Sequence, residues 1–338
     1  MGSKTRRAKG GKFIYSGSYG CAFYPAIKCK GQKTRKNGYI SKISNYNSAV
    51  SEKQLSSTVQ KMNRNFKYFV YPDEICYPEP NLTDGIKNCK LKLKNPVALL
   101  SPYGGVDLYK IEVPFSDIPA LFKGMVNIFD GLLLLHTNYY IHNDVKPLNI
   151  VANKMKDSSY NVRLIDFGLT TFITDFVKDP IVESYQYYPF DIRLLSNTYV
   201  PNEKDIAIFY SAIARSNFPM WMYYNSDGKK IINIKWALSI FKKIVKEDTA
   251  LARIAFQCDT FSLGRTIYEV YSRLTGHISR GPNIISGSEH VSIKTNVSIP
   301  LFSLVRKMCD PDPFTRIGLV AAKAEFVSLL EAFEKHFI

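Results

Sequence analysis

Asp144, Lys146 and Asn149 sit in one short stretch, Ile141-His-Asn-Asp-Val-Lys-Pro-Leu-Asn149, and Asp166-Phe-Gly168 follows a short way on. A carboxylate, an ammonium and an amide spaced this closely can serve one reacting centre. Phosphoryl transfer needs a carboxylate beside the acceptor hydroxyl, a cation on the transferring phosphoryl, and oxygen ligands for Mg²⁺. Asp144, Lys146, Asn149 and Asp166 supply all of these. Either stretch alone is a weak signal; together, in this order, they are specific.

The elements that must position these groups can be read from hydropathy. Strands are predicted at Lys12–Tyr15, Cys21–Ile27, Tyr39–Ile43, Cys89–Leu93 and Val97–Leu100, with a helix over Ser48–Met62. The run from Lys30 to Gly38 has the Gly and Asn of a hairpin loop. Beyond Pro102-Tyr-Gly-Gly105 the chain turns mainly helical. Leu121/Phe122, Met125, Ile128/Phe129, Leu132 and Leu135 recur at helical spacing, as do Ile234, Ala237/Leu238, Phe241 and Ile244/Val245. Tyr139–Ile141 and Val162–Ile165 are short apolar strands flanking the polar loop. The expected class is α+β: a sheet-rich first third, a helical remainder, and a junction near Ser101–Asp107.

The Asp144 and Asp166 stretches together resemble the catalytic loop and D-F-G signatures of eukaryotic-type protein kinases. The resemblance implies Asp144 as catalytic base, Lys146 on the γ-phosphate, and Asn149 and Asp166 as Mg²⁺ ligands. Lysine two residues after the catalytic Asp is typical of serine/threonine kinases. ATP and Mg²⁺ are then the implied cofactors, and protein the implied substrate. The implied architecture is bilobal: a basic tail over 1–11, a sheet-and-helix lobe over 12–103, and a helical lobe over 104–338 with an insert at about 192–258.

Other segments fall into that register. Gly17, Ser18, Gly20 and Ala22 match the end of a glycine-rich phosphate loop, with Tyr15 where the family has its first glycine. Two lysines compete to anchor the phosphates. Lys28, in Pro-Ala-Ile-Lys, copies the family's text but lies only eight residues past Gly20, too close to finish one strand and enter the next. Lys42 sits in a strand pattern and is the expected anchor, and Glu52, the only acid between Met1 and Pro72, its expected partner. Pro102 and Gly104 resemble the hinge that binds adenine through backbone groups, and Asp107 would meet the ribose. Ser101, or Leu100 if the register slips, would guard the back of the pocket.

Downstream, Ser184, Tyr187 and Asp191 resemble the end of an activation segment, with Asp191 in place of the usual glutamate. Asp259 resembles the helix-start acid that braces the catalytic loop, and Arg316 the arginine that pairs the segment acid. Two departures stand out. Asn143 replaces the common arginine before the catalytic Asp, and 68 positions separate Asp191 from Asp259. The phrases around Phe13–Pro25 and Tyr39–Ile43 resemble kinases encoded by giant DNA viruses, which implies an intracellular or virion setting.

Composition narrows the rest. The chain has 338 residues, a net charge of +16 and 46% hydrophobic residues, enough for a large core and unlike a disordered chain. Eleven Lys/Arg and no acid occur from Met1 to Ser51, which reads either as a solubilising tail with a solvated loop or as a contact for a polyanion: nucleic acid, an anionic membrane or an acidic protein. No membrane span, no secretory signal and no lipidation are expected, since Arg6 stands where myristoylation wants Ser or Thr. Six scattered cysteines without a C-x-x-C pair predict free thiols in a reducing compartment. A monomer is expected. The rival readings are a pseudokinase or polyanion-binding scaffold, which Mg²⁺-dependent ATP turnover would exclude, and a small-molecule kinase, which a peptide array would exclude.

Overall fold

The computed structural model describes residues 11–17, 20–63, 65–79, 88–178, 186–189, 191, 234–246, 250–276 and 291–337. The class is α+β with antiparallel sheets. The chain divides into two compact units, Met1–Gly105 with Ile165–Gly168, and Val106–Leu164 with Leu169–Ile338. The Asp166-Phe-Gly stretch therefore belongs with the N-terminal unit although its chain neighbours do not.

Unit 1 is built on a five-stranded antiparallel sheet: β1 (Lys12–Ser16), β2 (Cys21–Tyr24), β3 (Tyr39–Asn45), β4 (Glu74–Cys76) and β5 (Pro96–Pro102), in the order β1-β2-β3-β5-β4. Helix α1 (Tyr46–Met62) follows β3 directly. The strands alternate because one face is buried: Cys21, Phe23, Ile43 and Ala98 form one core cluster. Ala49 of α1 joins Val97 and Leu99 in another. Gly20 has no room for a side chain, since a Cβ there would lie 2.8 Å from the Ile43 carbonyl oxygen and 3.0 Å from Lys42 Cγ.

Two expectations fail here. Cys89–Leu93 is not a strand. It is an extended strap whose Cys89, Leu91 and Leu93 pack on the sheet's core while Lys90, Lys92 and Lys94 are exposed. Its alternation fits a half-buried surface, but it pairs with no strand of the sheet. Four cysteines are also not free thiols: Cys21 is bonded to Cys89 and Cys29 to Cys76. Partners 68 and 47 residues apart leave no spacing signal in the sequence.

In unit 2, β6 (Val106–Asp107), β8 (Ile150–Lys154) and β9 (Tyr160–Leu164) form one antiparallel sheet in the order β6-β8-β9. β7 (Tyr140–Ile141) pairs with β10 (Thr171–Phe172) in another. The predicted single helix over Leu121–Leu135 is two, α2 (Ile118–Gly124) and α3 (Val126–Thr137). At the break the Met125 amide donates to both Leu121 and Phe122 carbonyls, a tightened turn. There α2 closes on β9, where a Cβ on Gly124 would lie 2.7 Å from Val162 Cγ2.

The helices α4 (Ile173–Lys178), α5 (Ile234–Lys246), α6 (Ala250–Leu274), α7 (Ile299–Met308) and α8 (Leu319–His336) follow. Phe122 of α2 stacks on Phe333 of α8 and meets Tyr271 of α6 edge-on. Such rings fill the unit's centre. Among the described residues, Phe115–Thr137 alone is apolar and long enough to cross a membrane, and half of that window is buried inside the unit.

Candidate functional site

Two clusters gather the residues singled out above, one in each unit. In unit 1, strand β3 places Lys42 opposite Ala22 on one side and Leu99 on the other. Its Nζ lies 2.9 Å from Glu52 Oε2 and 3.0 Å from Asp166 Oδ1. Glu52 is only 6% exposed, on the α1 face that also carries Ala49, Ser56 and Val59. Burial works against the Lys42 ammonium, but the Asp166 and Glu52 carboxylates outweigh it and hold its pKa above the usual lysine value. Burial raises the Glu52 pKa, with the Asp166 charge adding to the rise and Lys42 opposing it.

Asp166 has φ +62°, in the left-handed region that costs a non-glycine residue strain. Phe167 next to it is fully buried, edge-on to Phe69 at 5.4 Å. That packing holds the Asp166 backbone in its unfavourable conformation.

Gly17 and Gly20 close a turn, the Gly17 amide donating to the Gly20 carbonyl at 2.9 Å. Ala22 stands beside Lys42 in register, and Ser18 lies outside the described residues. Lys28 is elsewhere, paired with Glu79 at 3.1 Å. Pro102 pairs in register with Tyr39, and the next amide, Tyr103, donates to the Gly38 carbonyl at 2.8 Å. Gly104 follows within unit 1, and Leu100 is buried where Ser101 is half-buried. Within the basic run, Lys36 pairs with Asp73 and Glu74. With Lys28 also paired, part of the positive field expected there is neutralised. The tail residues 1–10 lie outside the described residues.

In unit 2, Lys146 Nζ lies 2.8 Å from each Asp144 carboxylate oxygen. Asn149 donates through Nδ2 to the Asp144 carbonyl at 2.9 Å and to Asp144 Oδ2 at 2.7 Å. Its amide oxygen is not spent on these bonds. The fully buried His142 accepts the Asp144 amide on Nδ1 at 3.3 Å.

Asp259, fully buried in α6, accepts the amides of His142 (2.8 Å) and Asn143 (2.9 Å) and lies 3.0 Å from His136 Nε2. Burial opposes its charge, yet His136 and His142 hold its pKa below the usual carboxylate range. Asn143 has φ +60° and accepts the Tyr188 hydroxyl on its carbonyl at 3.0 Å. Asp107, in β6, accepts the Lys110 amide at 2.9 Å. Asp191 and Arg316 meet at 2.5 Å with both side chains fully buried.

His136 and Tyr188 were missed in the sequence. The first lies in an ordinary helix pattern and the second in a segment with no periodicity. Ser184 and most of the 192–258 insert lie outside the described residues. Among the described residues, no three His, Cys, Asp or Glu side chains gather into a metal cage. Mg²⁺ does not need one, since it keeps several waters and takes one or two carboxylates plus substrate phosphates. Asp166 in unit 1 offers a carboxylate and Asn149 in unit 2 an amide oxygen, each a kind of donor that Mg²⁺ takes. No protein-family model matches the chain.

Proposed function

We propose that this protein is a kinase-fold protein serine/threonine kinase that transfers the γ-phosphate of ATP to hydroxyl groups of protein substrates. The observation that carries the reading is the Lys42 ammonium held between Glu52 at 2.9 Å and Asp166 at 3.0 Å, across 124 residues of sequence. Two carboxylates around one lysine fix its side chain and its charge, as a phosphate anchor requires.

The roles follow from the chemistry of each group. Lys42 binds phosphate oxygens, and Glu52 keeps its side chain from swinging away. The turn closed by Gly17 and Gly20 lets the backbone approach phosphate where a side chain would obstruct it. Asp144 orients the acceptor hydroxyl and takes its proton. Lys146, already bound to the Asp144 carboxylate, brings positive charge toward the transferring phosphoryl. Asn149 and Asp166 are the oxygen donors for Mg²⁺, which when bound neutralises charge on the phosphates. Pro102 and Gly104 bind adenine through their backbone, and Asp107 the ribose.

By resemblance, a lysine two residues after Asp144 is typical of serine/threonine kinases, and Lys146 together with the resemblance of Ser184, Tyr187 and Asp191 to an activation segment favours protein over a small molecule as substrate. Intracellular action and the likeness to giant-virus kinases belong to the same proposal. The two disulfides, which a reducing cytosol disfavours, make redox state one of its variables. The test is incorporation of labelled phosphate from ATP into a protein or peptide mixture, with and without Mg²⁺, by the full chain and by Asp144→Asn. Transfer that needs both Mg²⁺ and Asp144 is the expected result. Nucleotide binding without any transfer would make the chain a pseudokinase.

A further inference from the structure

The cysteines are divided between the units. In unit 2, Cys258 and Cys309 are buried thiols, and burial pushes the Cys309 pKa up to about 12, so neither is reactive. In unit 1 all four described cysteines are in disulfides. One of these, Cys21–Cys89, stands at the base of the glycine turn. Cys21 follows Gly20 directly and pairs in register with Ser16 on β1 and Ile43 on β3. The Ser16 hydroxyl lies 3.3 Å from Cys21 Sγ, which in a disulfide has no proton to give, so Ser16 is the donor.

The other half of the bond, Cys89, is in the strap. The strap's only other described ties to the sheet are Leu91 and Leu93 on the core and the Lys94 amide donating to Asn45 Oδ1 at 2.8 Å. Asn45 is the N-cap of α1, the helix that carries Glu52, and its side chain is spent on the strap rather than on capping. The strap thus touches both supports of Lys42: the turn before β2 and the start of α1.

We propose that the Cys21–Cys89 disulfide is a redox latch, which in its oxidised form holds the glycine turn and the start of α1 in place and on reduction releases them. The reductant is a dithiol. Its thiolate attacks Sγ of Cys89, the less buried residue of the two, and the Cys21–Cys89 bond breaks with its electron pair going to Cys21. Ser16 donates a hydrogen bond to the departing Cys21 thiolate, which takes up a proton. The second thiolate of the reductant then attacks the mixed disulfide and frees Cys89. The protein gains two thiols and the dithiol becomes a cyclic disulfide.

The nucleotide arm of this proposal rests on the kinase reading, and the structural arm does not. The experiment compares the full chain oxidised and dithiol-treated, with the disulfide state mapped by alkylation and mass spectrometry. It measures hydrogen exchange over 11–17, 88–95 and 299–308, and affinity for MgATP. Reduction should speed exchange over 11–17 and 88–95 by about tenfold or more, leave 299–308 unchanged, and weaken MgATP binding by about tenfold. Cys29→Ser should keep this response and Cys89→Ser should lose it. If Cys89→Ser does not fold, wild-type protein reduced at Cys21–Cys89 alone carries the comparison.

Unchanged exchange over 11–17 on reduction overturns the latch, as does a wild-type response in Cys89→Ser. Faster exchange with MgATP affinity unaltered overturns it too. Faster exchange in a protein that binds no nucleotide in either state supports the latch and defeats the kinase reading.

Discussion

Lys42 and Glu52 are ten residues apart in the chain and 2.9 Å apart at their charged ends, because β3 runs straight into α1 and the helix turns Glu52 back over the strand. Replacing Lys42 with Met leaves Glu52 buried without its cation. We expect phosphoryl transfer to fall at least about a thousandfold, roughly 4 kcal/mol of barrier. Lys28→Met, which removes only the ion pair to the partly exposed Glu79, should leave transfer within about twofold of wild type. Steady-state assays of both variants check this, and the reverse pattern would move the phosphate anchor to Lys28.

Asp144→Asn and Asp166→Asn should each abolish transfer while leaving thermal unfolding within a few degrees of wild type. Asp144 is buried, but an asparagine there keeps one side-chain oxygen to accept from Lys146 or Asn149, so an amide can be accommodated. A circular-dichroism melt alongside the assay separates lost chemistry from lost fold. A folded Asp144→Asn protein that still transferred phosphate would remove Asp144 from the role of base.

Much of this site is legible in sequence because its parts are contiguous. Asp144, Lys146 and Asn149 fall in one loop, and Lys42 was separable from Lys28 by counting residues from Gly20. What failed did so for lack of a local signal. The C-K-L-K-L-K alternation at Cys89 states only that one side is buried, and whether a strand results depends on backbone pairing with a distant segment, which alternation does not encode. The disulfides join residues through tertiary proximity alone. β8, whose residues Ile150–Lys154 directly follow the Asp144–Asn149 stretch, was hidden because only Ile150, Val151 and Ala152 are apolar before Asn153 and Lys154. The Asp191–Arg316 pair was visible only through resemblance, being 125 residues apart.

That pair gives a stability prediction. Both side chains are fully buried, so Arg316→Ala leaves the Asp191 carboxylate without its counter-charge. The expected loss is about 3–5 kcal/mol. Asp191→Leu with Arg316→Met removes both charges and should recover most of it. Urea unfolding of the single and double variants measures the difference, and additive losses would show that the two residues do not act as a pair.

Asp259 predicts a pH dependence. Its pKa is held below the usual carboxylate value in the folded protein, where it accepts the His142 and Asn143 amides and faces His136. A depressed folded pKa stabilises the fold above the unfolded value, near 3.9, and that contribution disappears as pH falls through the folded value. Acid unfolding should therefore steepen below about pH 4. Asp259→Asn should be less stable at neutral pH and show a flatter acid limb. Melts from pH 7 to 3 decide it, and identical acid limbs would count against the assignment.

Asn143 bears on regulation. In the resembled family, the arginine common at this position pairs with a phosphate on the activation segment through charge-assisted hydrogen bonds. Asparagine has no charge for that. Here Asn143 is buried, its amide donates to Asp259 and its carbonyl accepts from Tyr188, so the loop is braced by backbone bonds instead. Of the hydroxyls that follow Asp166, Thr170 is buried and lies 3.4 Å from the His142 carbonyl, closed to modification. Thr174 is exposed but sits next to Asp175, whose charge would repel a phosphate. We therefore expect full activity without phosphorylation of this segment. Phosphatase treatment, verified by mass spectrometry, should change the rate by less than about threefold, as should Thr174→Ala. A drop of about a hundredfold, near 2.7 kcal/mol, would instead require a phosphate-binding cation elsewhere in the protein. A loss seen only in Ser184→Ala would leave the prediction standing, since by resemblance that hydroxyl contacts Asp144 and Lys146 directly rather than carrying a regulatory phosphate.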